Sequence, residues 1–182
     1  MSEPLQLIGK IYVGKEELAK FRSRNISSTE RYNDWGQWLA NKKWHGGGSY
    51  QVIFRQAIVG ISFEEWFGQF FKSDQFGNWF APVFDKYDEK ERCWTFLVFG
   101  FSENYIDFVS AVNALRQIDS IGNASIKGVF SIVPYAFGKG FSNVEVVVSI
   151  ENGKSKISSS ATSEFQSWAN KAMKDAADAQ KD

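Results

Sequence analysis

The chain has 182 residues, enough for one domain of ordinary size with its own core. Its 21 basic and 21 acidic residues cancel, which removes the overall positive field that sequence-independent nucleic-acid binding requires. No stretch approaches the roughly 18 uninterrupted apolar residues of a membrane span, and a lone cysteine, Cys93, excludes an intramolecular disulfide. A reducing, cytoplasmic setting is therefore expected. The Met-Ser-Glu-Pro start, with no basic stretch leading into an apolar one, gives no expectation of a cleaved leader.

Residues 5 to 13 alternate Leu5, Leu7, Gly9, Ile11 and Val13 with Gln6, Ile8, Lys10 and Tyr12, the period of a strand with one better-buried face. Gly14 ends it. A short surface helix around Leu18 and Phe21 is expected over 15 to 25. Ser27 and Glu30 have the spacing of a capping box and predict a second helix with Tyr32, Trp35, Trp38 and Leu39 as its apolar stripe, ending near Lys43. Three consecutive glycines, Gly46 to Gly48, cannot continue it. Tyr50, Val52 and Phe54 alternate with Gln51, Ile53 and Arg55, which reads as a second strand reaching Val59. Ser62 and Glu65 repeat the capping spacing before a helix through Trp66, Phe67, Phe70 and Phe71. Polar residues and Gly77 break the pattern before Trp79, and Asp85 to Arg92 reads as a solvated charged turn.

Cys93 to Phe101 is the longest uncharged strand-like run, apolar on both alternating faces, and is expected in mid-sheet with cover on both sides. It passes into a helix with Ser102 as N-cap and a broad apolar face running from Tyr105 to Ile118, with Glu103, Asp107, Ser110 and Gln117 opposite. Strands follow at 126 to 133 and 144 to 150, separated by a bend at Gly138-Lys139-Gly140. Asn152-Gly153 is the preferred dipeptide of a two-residue hairpin; that turn sets Glu151 opposite Lys154 and Val148 opposite Ile157. A last helix starts near Thr162, places Phe165, Trp168, Ala169, Ala172 and Met173 on one side, and dissolves into a polar, frayed end at 174–182. The expected fold is one α+β domain over 1–182. It has a mostly antiparallel sheet of five to six strands, packed by four to five helices.

Little in the chain points to catalysis. His45 with Gly46-Gly47-Gly48 resembles the oxyanion loop of some lipases and esterases, but those enzymes also need a Gly-x-Ser-x-Gly elbow and a separate histidine, and this chain has neither. Cys93 sits in an apolar strand where nothing favours the thiolate. One Cys and one His cannot assemble a nitrogen and sulfur zinc site. The acids Asp85, Asp88, Glu89 and Glu91 are interleaved with Lys86, Lys90 and Arg92 and match no calcium loop. The glycine pairs fit neither a P-loop nor a dinucleotide fingerprint, so no cofactor or metal is expected.

What exceeds the needs of folding is the aromatic supply between Phe63 and Phe84. It is more than one helix face can turn toward a core. Either the segment wraps around the sheet edge and is wholly buried, or some rings are exposed, and exposed rings beside charges of both signs suit a protein-binding surface. The expected set is Trp66, Phe70, Phe76, Trp79 and Phe80, with Asp85, Asp88 and Glu89 as the charged flank. In composition and element order the chain resembles the small bacterial immunity proteins of polymorphic toxin systems: one aromatic-rich α+β domain, almost free of Cys and His. The resemblance implies a non-enzymatic protein that binds and neutralises a cognate toxin. The alternative is a small-molecule-binding domain or small enzyme with an aromatic-lined pocket.

Overall fold

The computed structural model describes residues 5–40, 42, 50–71, 84–134 and 144–178. Six strands form one open antiparallel sheet: β1 (Leu5–Tyr12), β2 (Phe84–Asp88), β3 (Cys93–Ser102), β4 (Lys127–Pro134), β5 (Val146–Glu151) and β6 (Lys154–Ser158), in the order β2-β3-β1-β4-β5-β6. The helices are α1 (Lys15–Arg22), α2 (Gly36–Leu39), α3 (Gln51–Phe54), α4 (Phe63–Gly68), α5 (Tyr105–Arg116) and α6 (Ser163–Asp178). This is the expected α+β class.

The two-residue period divides the strands cleanly. Leu7, Ile11, Trp94, Phe96, Phe130, Ile132 and Val148 point to one face, where α1, α4 and α5 complete the larger core. Ile8, Leu97, Val133 and Val147 point to the other, where α6 covers them with Phe165, Ala169, Met173 and Ala176. Strand β3 is thus interior, between β2 and β1, and buried from both sides as its sequence predicts. The hairpin also follows its prediction: Asn152 and Gly153 have φ of 51° and 68°, Glu151 pairs with Lys154, and Val148 with Ile157.

Four expectations are corrected. Residues 50 to 59 do not form a strand; they hold α3 and a loop, and the sixth strand is β2, in the segment read as a charged turn. The Ser27–Glu30 box does not open a long helix, because Ser28 caps a 3-10 turn, Thr29–Arg31, by accepting from the Glu30 N–H at 3.2 Å. Asn104, not Ser102, caps α5; its side chain accepts from the Ile106 N–H at 2.9 Å. Helix α6 runs on to Asp178 and buries Ala176 rather than dissolving at Lys174. The bend at 138–140 lies outside the described residues.

Helix α5 is buried nearly all round, since residues 26–39 and 50–58 cover its polar face as well. Its polar residues satisfy the backbone of those residues. Ser110 Oγ accepts from the Ile58 N–H at 3.0 Å, Asn113 donates to the Ser27 carbonyl at 2.8 Å, and Gln117 both accepts from and donates to Ser27. Buried backbone groups need such partners.

Candidate partner-binding surface

Helix α4 starts where Ser62 accepts from the Glu65 N–H at 3.1 Å, the predicted cap. Its burial then separates the aromatic set. Trp66 is 3% exposed and packs on Phe63, Phe67 and Phe70 with ring centres 5.4–6.0 Å apart. It is a core residue, as the buried reading of the segment has it, and not part of an exposed partner surface. Phe70 is half-buried, between Trp66 and Phe101, and Phe71 is 36% exposed. Phe76, Trp79 and Phe80 lie outside the described residues, as does His45.

The acidic flank is divided as well. Asp85, on β2, faces the larger core, where its carboxylate accepts from Arg22 and from the Trp94 indole N–H at 2.7 Å. Arg22 also reaches Glu64 at 3.2 Å and lies 5.1 Å from the Trp94 ring. Asp85 is therefore an internal tether between α1 and β3. Asp88 accepts from the Glu91 N–H at 2.9 Å and shapes the β2–β3 turn, while Glu89 pairs with Lys15. Both sit at the far end of β2 from Phe84, so the structure brings Trp66 and Phe70 together, ties Asp85 to Arg22 and Trp94, and leaves Asp88 and Glu89 at the β2–β3 turn, at the opposite end of β3 from Phe101.

Phe70 and Phe71 belong to an aromatic rim that the sequence did not reveal. Ring contacts run from Phe71 to Phe67, on to Phe70, Phe101, Phe108, Tyr105 and Trp38, at centroid distances of 5.1–6.3 Å. Phe101, at the end of β3, and Tyr105, at the start of α5, are half-buried like Phe70. Glu145 fixes the far end of the rim. It accepts from the Trp38 indole at 2.8 Å, the Tyr105 hydroxyl at 3.1 Å and Lys42 at 2.7 Å. Burial and the Glu145 charge push the Tyr105 hydroxyl pKa above its ordinary value. The available signal was chemical: buried Trp and Tyr rings need a partner for their polar tips.

Chemistry elsewhere is sparse among the described residues. No group of three or more His, Cys, Asp or Glu side chains could hold a metal. Cys93 is 4% exposed, and burial raises its thiol pKa, the reverse of what a nucleophile needs. A cleft of about 730 Å³ lies on the α6 face of the sheet; most of the residues that line it carry a hydroxyl or a charge, although their apolar stems supply much of its surface, and Tyr12 is its aromatic member. No described helix is long and apolar enough to cross a membrane. Comparison with protein-family models, curated proteins and solved structures found no match for the chain.

Proposed function

We propose that the protein is a non-enzymatic binding module whose partner is another protein, and that the partner is a bacterial toxin which it neutralises in the cytoplasm. The observation that carries the reading is the rim of partly exposed rings at one end of a rigid sheet, with Phe71 at 36% exposure and Phe70, Phe101 and Tyr105 half-buried. Rings of this kind supply large contact area at little cost in conformational entropy, and their firm seating against core aromatics lowers that cost further. Leu5 pairs with both Ser102 and Pro134 at this same end, so three strand termini frame the surface. The toxin as partner rests on the resemblance to immunity proteins in composition and element order.

The test is co-expression with candidate toxins encoded beside the gene, with growth as the readout. Wild-type protein is expected to restore growth, whereas Phe70→Ser with Phe71→Ser fails to do so while remaining folded. Rescue that is indifferent to both changes would place recognition away from the rim. Absence of rescue by any neighbouring toxin, together with binding of a different protein through the rim, would keep the surface and discard the toxin.

A further inference from the structure

The α6 face of the sheet is covered unevenly. The helix seals Ile8, Leu97, Val133 and Val147, but the strand ends beyond them stay open beside the segment leading into α6. Register places Tyr12 opposite Lys127, Lys10 opposite Val129, Val129 opposite Ser149 and Ser149 opposite Lys156. These side chains share one face. Tyr12, Lys127, Val129, Ser149 and Lys156, with Ser158 to Ser160, Thr162 and Glu164 as a wall, bound the cleft of about 730 Å³, a size that suits small ligands, while Lys10 lies beside it.

Its charges are arranged for a single small anion. Lys10 and Lys127 each place an ammonium 5.5 Å from the centre of the Tyr12 ring. Glu164 answers Lys10 at 3.9 Å, but Lys127 has no carboxylate within ion-pair distance among the described residues. In the next row Lys156 shares an exposed pair with Glu151 at 3.1 Å. Two carboxylates on the margin repel a polyanion such as a nucleic acid, while the Lys127 ammonium, held over the Tyr12 ring but without a carboxylate in ion-pair distance among the described residues, attracts one phosphate. Apart from Gln37, the remaining polar side chains of the lining are hydroxyls. Ser149 and Ser158 bond each other at 2.6 Å, which uses one donor and leaves the other, with spare acceptor capacity on both. Ser159 and Ser160 stand exposed on the wall. Groups that both donate and accept, beside carboxylates that accept, match the hydroxyls of a polyol.

We infer that this cleft binds a monophosphorylated polyol, a sugar phosphate in chemical class, with its phosphate at Lys127 and Lys156 and its hydroxyls toward Ser149, Ser158 and Glu151. The site is distinct from the aromatic rim, because Tyr12 and Lys127 lie at the opposite ends of β1 and β4 from Leu5 and Pro134.

Amide NMR shifts of the full chain test it, with glucose 6-phosphate, ribose 5-phosphate and glycerol 3-phosphate titrated separately, and glucose and inorganic phosphate as controls. At least one sugar phosphate should give saturable shifts at Lys127, Ser149 and Thr162, and bind about ten-fold or more tightly than either control. Lys127→Ala with Lys156→Ala, both exposed positions, should weaken that binding about ten-fold or more at an unchanged urea midpoint. No saturable shift with any of the three up to about 10 mM, equal binding of inorganic phosphate, or binding that survives the double change would each overturn the inference.

Discussion

The Arg116 guanidinium meets the Asp34 carboxylate through two hydrogen bonds, at 2.7 and 3.0 Å, and the two residues together close the outer edge of β6. Asp34 accepts from the Ile157 N–H at 2.9 Å and Arg116 donates to the Ser155 carbonyl at 3.3 Å. Those backbone groups face away from β5, so the ion pair stands where a seventh strand would bond. Arg116 is 1% exposed and lies 3.9 Å from the Tyr32 ring centre. Removing its counter-charge leaves a buried cation. Asp34→Ala should cost about 3 to 5 kcal/mol, as for breaking a buried pair from one side. It also frees the edge for pairing with a second chain. Urea denaturation should show the first effect, and concentration-dependent elution in size-exclusion chromatography the second. A stable, monomeric Asp34→Ala would show that the edge needs no seal.

The same pair predicts an acid response. Burial opposes ionisation of Asp34, but hydrogen bonds from Arg116 and the Ile157 N–H outweigh it and hold the carboxyl below its ordinary value. A depressed folded value means stability that is fully present above the unfolded carboxylate value of about 3.9 and is lost as pH falls through the folded one. Between about pH 5 and pH 2 the urea midpoint of wild type should therefore fall further than that of Asp34→Asn, which has no proton to take up there. Parallel curves would mean that Asp34 does not contribute through its charge.

Gly9 and Phe96 are register partners, and the Phe96 ring lies where a Gly9 side chain would stand. A Cβ there would collide with the ring and come within 3.0 Å of the Phe130 Cβ. Gly9→Ala should cost about 1 to 3 kcal/mol by overpacking, and Phe96→Ala about 3 to 5 by cavity formation. Combined, they should cost less than their sum, because each relieves the other. Leu97→Ala, on the opposite face under α6, should cost about 2 to 5 kcal/mol and add independently to Gly9→Ala. Strict additivity of Gly9→Ala with Phe96→Ala would deny the contact.

How much of this was legible depended on whether a segment's local pattern and its tertiary use agreed. The 151–154 hairpin was readable because Asn152-Gly153 carries its turn geometry in two residues. Strand β3 was readable because only a doubly covered strand tolerates Trp94, Phe96 and Leu97 in one run. Residues 50 to 59 misled because Tyr50, Val52 and Phe54 alternate as a strand would, while Ile53, Phe54, Ala57 and Ile58 also lie on one helical side. In the fold α3 packs on α5, outside the sheet. The edge position fell to β2, whose charges disguised it, yet charged side chains are what an edge strand carries. Ser110 and Gln117 have the same spacing whether they face water or a covering segment, so periodicity could not expose the second layer over α5. For the surface, the sequence showed the aromatic excess. Which rings were core depended on α4 lying against Trp94 and Phe96, a long-range contact no local pattern encodes.

Trp66 and Phe71 separate stability from recognition. Trp66 is 3% exposed inside a stack of Phe63, Phe67 and Phe70, so Trp66→Ala should cost about 3 to 5 kcal/mol of folding stability, like other large-to-small core changes. Phe71 touches Phe67 but keeps 36% of its surface in water, and Phe71→Ala should cost only about 1 to 2 kcal/mol. Binding should rank the other way. If the rim is the partner surface, Phe71→Ala, or Phe70→Ala beside it, should lose about 2 kcal/mol or more of affinity in calorimetry with an identified partner. Trp66→Leu, which keeps an apolar filling, should retain affinity under conditions where it is fully folded. Changes at Asp88 or Glu89, at the far end of β2, should leave affinity unaltered. Unchanged binding in folded Phe70→Ala and Phe71→Ala, with loss at Asp88→Ala or Glu89→Ala, would move the partner to the charged end of the sheet and make the aromatic rim an outer margin of the core.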